Sequence, residues 1–400
     1  MNVIQILRHY SIFFLGDQKP GFRNDYHRGL AYMKSFPEPV DDFQRSFFQY
    51  KCQTFYQPWY GKVICNLASL FLIIPYILRL CLKSCASKIR VPSENVAVFT
   101  ESEDWKNLIP EALFQEYSHW YYCIKNKEQC LKYSDICFVM SIWKRYPFQF
   151  FFVFKNMMKI AYYRYVFMVY SPSVFVTENE YSFTSSILTC YCEKKGIKHI
   201  NVMHGERALE IRASFFRYHQ CYVWDEYYRS IFLRLRAYPE QFVIVVPPAL
   251  KIDVEKWREE SNVCDFKYYL NSPTEKELKQ IASLIKNISQ HGFKIKVRPH
   301  PVYTDLKLLS VYLDMCFIES TDVPIEYSIS NTNAVISGGS TVLYQAYLCG
   351  IKAVWDDIIY KEMLAKLATV GYIMLSKDLQ YLSSVLEERG IRNRVVDEIK

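Results

Sequence analysis

Two short stretches of this chain combine residue types that bind phosphate groups. Residues 294–301, K-I-K-V-R-P-H-P, begin with an alternating apolar pattern that predicts a strand, with Arg298 and His300 at its carboxyl end. A second predicted strand, 334–336, is followed by S-G-G-S-T at 337–341 and then by a helical pattern. A guanidinium, an imidazole and the amides of a helix N-terminus all donate hydrogen bonds to anions. The two stretches predict a phosphate site at the ends of neighbouring strands.

The second stretch has both a binding and a purely structural interpretation. Gly338 and Gly339 let a ligand approach the backbone closely. Ser340 and Thr341 either bond a phosphate or cap the helix that follows them. A plain N-cap after a turn is the alternative for the whole motif.

Two further residues near the predicted phosphate site also have two interpretations. His300, which precedes Pro301, donates to a phosphate oxygen or protonates a leaving group, unless its ring only lies in solvent at a turn. Glu326, in P-I-E at 324–326, accepts from ribose hydroxyls or complements a helix dipole.

A third stretch, M-H-G-E at 203–206, ends a predicted strand in the first half of the chain. His204 is the candidate base that removes a proton from an acceptor hydroxyl, and Glu206 orients it or acts in its place. The stretch T-E-N-E at 177–180 also ends a strand. For it we favour a helix cap over contact with an acceptor.

Composition excludes several classes of protein. The chain has 400 residues, 50% of them apolar and 17% aromatic, which predicts two domains and no extensive disorder. The net charge of +8 suits anionic ligands, but no nucleic-acid motif or long basic run accompanies it. The thirteen cysteines show no zinc-ligand spacing and indicate reduced thiols in the cytoplasm. No carboxylate cluster indicates a metal ion, and no cofactor motif is present.

Strand and helix patterns alternate along most of the chain, which predicts an α/β fold with parallel sheets. Residues 91–250 form a Rossmann-like acceptor domain in this interpretation, and residues 265–400 form a Rossmann-like nucleotide-donor domain across a cleft. Residues 1–90 are predicted to be a helical, aromatic and basic extension. Within it, the apolar segment 63–82 has a length that just spans a bilayer, but it contains Pro75 and Arg79. We favour an in-plane or buried helix, with a basic flank that suits the inner face of the cell membrane.

The motifs together resemble those of bacterial GT-B glycosyltransferases, in particular sialyltransferases, polysialyltransferases and other transferases that use CMP-activated keto sugars to build capsules and lipopolysaccharides. The H-P and S-S or S-T motifs of those families bind the CMP phosphate, which implies this role for His300, Pro301, Ser340 and Thr341. Their P-x-E motif handles the ribose, which implies that role for Glu326.

The base is where the chain departs from those families. Their acidic D/E-D/E-G motif supplies the base, whereas M-H-G stands at 203–205 here. This motif is similar to the W-H-G of teichoic-acid polymerases, which transfer polyol phosphate from CDP-glycerol. Their D-Y-S-S motif is replaced here by G-G-S-T, and the following L-C-G-I-K-A-V is more similar to sugar transferases.

The resemblance implies an inverting, metal-independent glycosyltransferase that uses a nucleotide-activated donor and a glycan or lipid-linked glycan acceptor. His204, helped by Glu206, is the expected base, and Arg298, His300 and the 339–341 loop stabilise the leaving CMP. Three alternatives remain: a CDP-polyol phosphotransferase, a UDP-sugar transferase, and a non-catalytic, membrane-docked partner in polysaccharide assembly.

Overall fold

The computed structural model describes residues 26–82, 92–100, 105–123 and 129–391. The start of the predicted extension, residues 1–25, and its basic flank, Lys83, Lys88 and Arg90, lie outside the described residues. The chain divides into two compact units, Met1–Pro248 and Ala249–Lys400.

The first unit contains a six-stranded parallel sheet with the order β2-β1-β3-β4-β5-β6. Its strands are β1 (Val96–Thr100), β2 (His119–Cys123), β3 (Val174–Thr177), β4 (Lys198–Val202), β5 (Gln220–Val223) and β6 (Phe242–Ile244). Every residue of β1 and β3 is buried, because helices cover both faces of the sheet. Val98 and Phe175 pack into the core on one face, whereas Phe99 and Val176 pack into the core on the other.

The helices of the first unit include long apolar ones that cover this sheet. They are α1 (Tyr26–Lys34), α2 (Asp42–Gln53), α3 (Trp59–Leu82), α4 (Trp105–Leu108), α5 (Glu111–Glu116), α6 (Tyr133–Arg145), α7 (Phe150–Tyr170), α8 (Ser185–Glu193) and α9 (Glu226–Arg234). The long helix predicted over about 126–168 is divided into α6 and α7 at a turn containing Pro147.

Helices α1 and α2 are packed into the first unit. The buried Gln49 side chain donates to the carbonyl oxygens of Glu180 (2.9 Å) and Arg212 (3.0 Å). The Tyr26 hydroxyl donates to the carbonyl oxygen of Leu209 at 2.6 Å. These bonds join the described part of the predicted extension to the loops that follow β3 and β4.

Helix α3 is long and apolar enough to cross a membrane, and it is the one such helix in the part of the chain that is described. Only 17% of its apolar window, within Trp59–Leu80, is buried. This low burial argues against the buried-core interpretation of the segment 63–82.

The second unit contains a five-stranded parallel sheet with the order β11-β10-β9-β7-β8. Its strands are β7 (Cys264–Tyr269), β8 (Ile295–Arg298), β9 (Thr332–Ser337), β10 (Lys352–Trp355) and β11 (Gln380–Tyr381). Its helices are α10 (Val254–Trp257), α11 (Glu275–Gln290), α12 (Leu306–Tyr312), α13 (Ile325–Ser330), α14 (Thr341–Leu348), α15 (Lys361–Val370) and α16 (Leu382–Glu388). The predicted α/β class, with two Rossmann-like parallel-sheet units, is confirmed.

One prediction about strand order is wrong. The strands before His300 and before Ser340 are β8 and β9, and they are not neighbours because β7 pairs with both of them. Neighbouring strands lie about 4.8 Å apart, so the ends of β8 and β9 are separated by roughly 10 Å. The predicted strand at 316–319 is reduced to a single bridge between Val297 and Ile318.

A buried carboxylate holds three helical segments of the first unit together. Asp135 on α6 is fully buried, accepts from the Tyr191 hydroxyl (3.0 Å), and pairs with Lys195 (3.0 Å) and Arg164 (3.6 Å). We expect Asp135→Ala to lower the free energy of unfolding by about 3–5 kcal/mol, because it leaves the buried Arg164 without its carboxylate.

Urea unfolding followed by tryptophan fluorescence measures this loss. The control is Arg229→Ala, which removes an exposed 2.7 Å ion pair with Glu226 and should cost less than about 1 kcal/mol. Equal losses for the two variants would contradict the stabilising role of Asp135.

Candidate functional site

Three loops of the second unit leave the same edge of its sheet. Since β7, β8 and β9 are parallel, their carboxyl ends lie together, and ligands of such sheets bind outside these ends. The loop after β8 carries His300, and the loop after β9 carries residues 337–341. The loop after β7, the strand between them, begins near Asn271.

Asn271 joins the other two loops. Its carbonyl oxygen accepts from the Thr304 hydroxyl at 3.0 Å, and its side-chain amide donates to the carbonyl oxygen of Gly339 at 3.2 Å. The sequence analysis did not select Asn271. The sequence does contain a pattern that marks this residue. N-S-P-T at 271–274 directly follows a predicted strand and ends on Thr274, which begins the Thr274–Glu277 capping box of α11.

The His300 ring has a defined orientation. Its Nδ1 lies 3.1 Å from the amide nitrogen of Val302 and 3.3 Å from that of Tyr303, so Nδ1 accepts and the neutral ring carries its proton on Nε2. Desolvation lowers the pKa of His300 below its usual value, which favours this neutral form. The Thr304 hydroxyl accepts from the His300 amide at 2.9 Å and closes the turn that Pro301 begins. His300 is therefore a hydrogen-bond donor through Nε2.

The loop after β9 has the N-cap that the structural interpretation of its sequence predicts, and its binding of a phosphate stays a prediction. Ser340 is the N-cap of α14, and its hydroxyl accepts from the Val342 amide at 3.4 Å. Gly338 packs so closely on the Tyr360 ring that a Cβ atom would lie 2.0 Å from it, and Gly339 has a φ of +112°. Packing and backbone conformation thus explain both glycines. Gly339, Ser340 and Thr341 are nevertheless half-buried rather than enclosed, and they lie at the N-terminus of α14.

Arg298 has protein partners for its guanidinium. Nη1 donates to Glu319 at 2.9 Å and Nη2 donates to the carbonyl oxygen of Val323 at 2.6 Å, and the residue is buried. Lys267 on β7 also pairs with Glu319, at 2.7 Å. Burial alone would raise the pKa of Glu319, but hydrogen bonds and charges from Lys267, Ser328 and Arg298 lower it. The Arg298 guanidinium is therefore bonded to protein groups at the carboxyl end of β8, and its predicted contact with a phosphate stays a prediction.

The bond from Arg298 to Val323 also positions the predicted ribose residue. It fixes the segment before α13 near the carboxyl end of β8. Glu326 lies in the first turn of α13 and is half-buried. The helix that carries Glu326 therefore begins close after a segment that is bonded to the end of β8, the strand that precedes His300.

In the first unit, His204 follows β4 and pairs with a carboxylate from the end of β3. Its Nδ1 lies 3.0 Å from Glu178 Oε2 and 3.2 Å from Arg207 Nη2. The guanidinium can only donate and the carboxylate can only accept, so the two contacts require opposite states of Nδ1. When Nδ1 carries the proton, it donates to Glu178 and leaves Nε2 as an acceptor. The His204 side chain is 43% exposed, whereas Glu178 is only 6% exposed. The pair has the geometry of an oriented general base.

The favoured helix-cap interpretation of 177–180 is wrong. The next helix, α8, begins at Ser185 with Thr184 at its N-cap position. The stretch instead supplies carboxylates to the site, because Glu180 is fully buried and pairs with Arg207 at 3.0 Å. Burial alone would raise the pKa of Glu180. The charge of Arg207 and the hydrogen bond from the Asn201 amide outweigh burial and lower this pKa, so Glu180 stays ionised.

Glu206 differs from its neighbours in having no charged partner. Its Oε1 is buried without a hydrogen-bond partner among the described residues. Burial raises the pKa of Glu206 to about 7. The residue that orients His204 is therefore Glu178, and Glu206 is poised to exchange a proton near neutral pH.

The predicted approach of His204 to His300 across the two units stays a prediction.

A possible metal-ligand group in the described residues is explained by ion pairing. Asp42, Cys190 and Glu193 lie close together in the first unit, outside these loops. Arg217 donates to both carboxylates, which makes the group a structural ion-pair cluster.

Known protein families and curated proteins give no match to this sequence. Solved structures with a similar course of chain include the UDP-GlcNAc 2-epimerase from Neisseria meningitidis bound to UDP-GlcNAc, at 11% identity and a TM-score of 0.41, covering 68% of this chain and 85% of that one. S. aureus MnaA with UDP has 10% identity and a TM-score of 0.43, covering 76% and 89%. A structure of the wall teichoic acid polymerase TagF has 11% identity and a TM-score of 0.45, covering 85% and 90%. Similarities this low carry no inference about substrate or reaction.

The raised pKa of Glu206 predicts a pH-dependent loss of stability. Between the usual pKa of about 4.3 and about 7, the folded protein keeps a proton that the unfolded chain has lost, so stability falls as pH rises through this window. We expect Glu206→Gln to match the wild type at low pH and to exceed its free energy of unfolding by about 1–3 kcal/mol above pH 7.

Urea unfolding at pH values below and above this window measures the difference. Glu111→Gln, at an exposed position in the first turn of α5, is the control and should show no such pH dependence. An equal difference between the Glu206 variant and the wild type on both sides of the window would show that Glu206 ionises normally.

Proposed function

We propose that this protein is an inverting glycosyltransferase that moves a sugar from a nucleotide-activated donor to a hydroxyl of a bacterial surface glycan. The observation that carries the proposal is the pair formed by the accessible His204 and the buried Glu178 at adjacent strand ends. The proposed donor is CMP-linked sialic acid or a related keto sugar, because the H-P, P-x-E and S-T motifs resemble those of enzymes that use such donors.

The acceptor step follows from the orientation of His204. In the tautomer that donates from Nδ1 to Glu178, the lone pair on Nε2 accepts the proton of the acceptor hydroxyl as the oxygen attacks the sugar. The Glu178 carboxylate then stabilises the imidazolium that forms. Glu206, with a pKa of about 7, is a second group that can take this proton.

The donor step follows from the loops of the second unit. As the bond between sugar and CMP breaks, its electron pair goes to the phosphate oxygen, which gains negative charge. Nε2–H of His300, the hydroxyls of Ser340 and Thr341 and the N-terminus of α14 are donors for this charge. Arg298 acts beneath them by fixing the segment before Glu326, which accepts from the ribose.

The proposed enzyme also has an acceptor, a cellular location and no metal requirement. The acceptor is a glycan or a lipid-linked glycan, and the enzyme works in the cytoplasm or on the inner face of the cell membrane. The donors described above are all protein groups, so the proposal requires no metal ion and expects activity to survive chelation by EDTA.

A second candidate is a polyol-phosphate transferase that uses a CDP-alcohol. The histidine before Gly205 favours it, because the sialyltransferase-type families have a carboxylate there and teichoic-acid polymerases have a histidine. Product analysis separates the two reactions. A sugar transferase releases CMP from CMP-sialic acid, whereas a polyol-phosphate transferase leaves phosphate on the acceptor after using CDP-glycerol.

Nucleotide binding tests the donor site and the non-catalytic alternative together. We expect CMP to raise the melting temperature of the full chain more than CDP, UDP or GDP does, and His300→Ala to abolish most of that rise because it removes the Nε2–H donor. The matched control is His291→Ala, which removes an exposed histidine of the same unit outside these loops. A chain that binds none of the four nucleotides fits a scaffold protein and not a transferase.

Turnover of CMP-sialic acid tests the His204–Glu178 pair. We expect His204→Ala to lower kcat by about a hundredfold or more, and Glu178→Gln by about tenfold or more, with KM for the donor unchanged. His119→Ala, an exposed histidine at the start of β2, should keep the wild-type rate. Wild-type kcat in a correctly folded Glu178→Gln variant would remove this carboxylate from the mechanism.

A further inference from the structure

Helix α3 presents a continuous apolar face to solvent. Val63, Leu67, Phe71, Ile74 and Leu78 follow one another at helical spacing and are between 46% and 75% exposed. Exposed apolar faces of this extent mark interaction surfaces in soluble proteins.

The opposite face of α3 is anchored to the rest of the first unit. The Asn66 side chain donates to the carbonyl oxygen of Phe148 at 2.9 Å and accepts from the Phe151 amide at 3.0 Å. Ile73 is fully buried, and the ring of Tyr76 packs edge-on against that of Phe154. A helix fixed along α7 in this way presents one side outward, which suits a position in the plane of a membrane surface better than a path across it.

A basic cavity lies beside the N-terminal half of this face. It has a volume of about 460 Å³, and its lining includes Lys51, Lys62, Thr54 and Val63 but no carboxylate. Burial lowers the pKa of both lysines, and the charge of Lys51 lowers that of Lys62 further. Neither lysine forms an ion pair among the described residues. The cavity is an unneutralised cationic site open to an anion.

Three features favour a lipid surface as the source of such an anion. The cavity borders the apolar face, because Val63 belongs to both. Lys62 and Arg79 are the charged residues of α3, so the helix carries only positive charge. Trp59, which is 75% exposed, and Tyr60 begin the helix, and aromatic residues of this kind favour the headgroup region of membranes.

We propose that α3 lies in the plane of an anionic membrane, with its apolar face in the acyl-chain boundary and the phosphate of an anionic phospholipid in the Lys51–Lys62 cavity. The surface does not depend on the proposed transferase activity, and it docks the protein whatever reaction the loops of the two sheets support.

Flotation of the full-length protein with vesicles tests this proposal. Two vesicle types are compared, phosphatidylcholine alone and phosphatidylcholine mixed with phosphatidylglycerol. We expect the wild type to bind the mixed vesicles more tightly, and Lys51→Ala/Lys62→Ala to lose about tenfold or more of its affinity for them, since each basic residue near an anionic surface contributes to binding. Its affinity for neutral vesicles should not change.

Two further variants complete the test. Phe71→Gln, at a 75% exposed position, should weaken binding to both vesicle types without altering the melting temperature. Lys276→Ala/Lys286→Ala removes the same charge from exposed positions of α11 in the second unit and should bind as the wild type does.

Four results would overturn the proposal. They are failure of the wild type to bind the mixed vesicles, equal losses for the two double-lysine variants, and resistance to alkaline carbonate extraction, which indicates a spanning helix. The fourth is unchanged vesicle binding by Phe71→Gln together with a lowered melting temperature. In that case the apolar face of α3 packs against another segment of the chain or against a second copy, and not against a membrane.

Discussion

The parallel arrangement of β8, β7 and β9 is the constraint on which the proposed donor site depends. It brings three loops to one edge of the sheet, and Asn271 on the middle loop bonds to both of the others. The site is consequently wider than one phosphate between adjacent strand ends. In the proposed function, the nucleotide has its phosphate near one of these loops and its ribose near another.

Largely buried carboxylates pair with the basic side chains near the candidate loops of each unit. Glu319 pairs with Lys267 on β7 and with Arg298 at the end of β8, and Glu178 pairs with His204 in the first unit. Both carboxylates are largely buried, but the partners of Glu319 are buried strand residues whereas the partner of Glu178 is the exposed His204. In the proposed transferase, side chains that are held in place beforehand lower the reorganisation that a charged transition state requires.

Much of the fold was predictable from the sequence because its signals are local. The helical pattern at 275–290 predicts α11 with the correct bounds, and the apolar run within 173–177 predicts β3. Strand β2 was missed, since H-W-Y-Y-C at an edge lacks a buried apolar run. Strand order could not be predicted from the sequence, because the pairing of β7 with β8 and β9 depends on how distant segments of the chain pack.

The candidate site was predictable in its residue types but not in its pairings. His204, His300 and Ser340 stand where the sequence analysis expected them, at strand ends. The partners Glu178 and Asn271 depend on which strands are adjacent, and Arg298 faces Glu319 because of a crossover that no local pattern reveals.

A crystal structure of the full chain with CMP tests the central claim, that the three loops of the second unit hold a nucleotide. The account predicts the phosphate within hydrogen-bond distance of His300 Nε2 or of the N-terminus of α14, with the ribose near Glu326. A nucleotide bound elsewhere, with His300 and Ser340 both left in solvent, would contradict it.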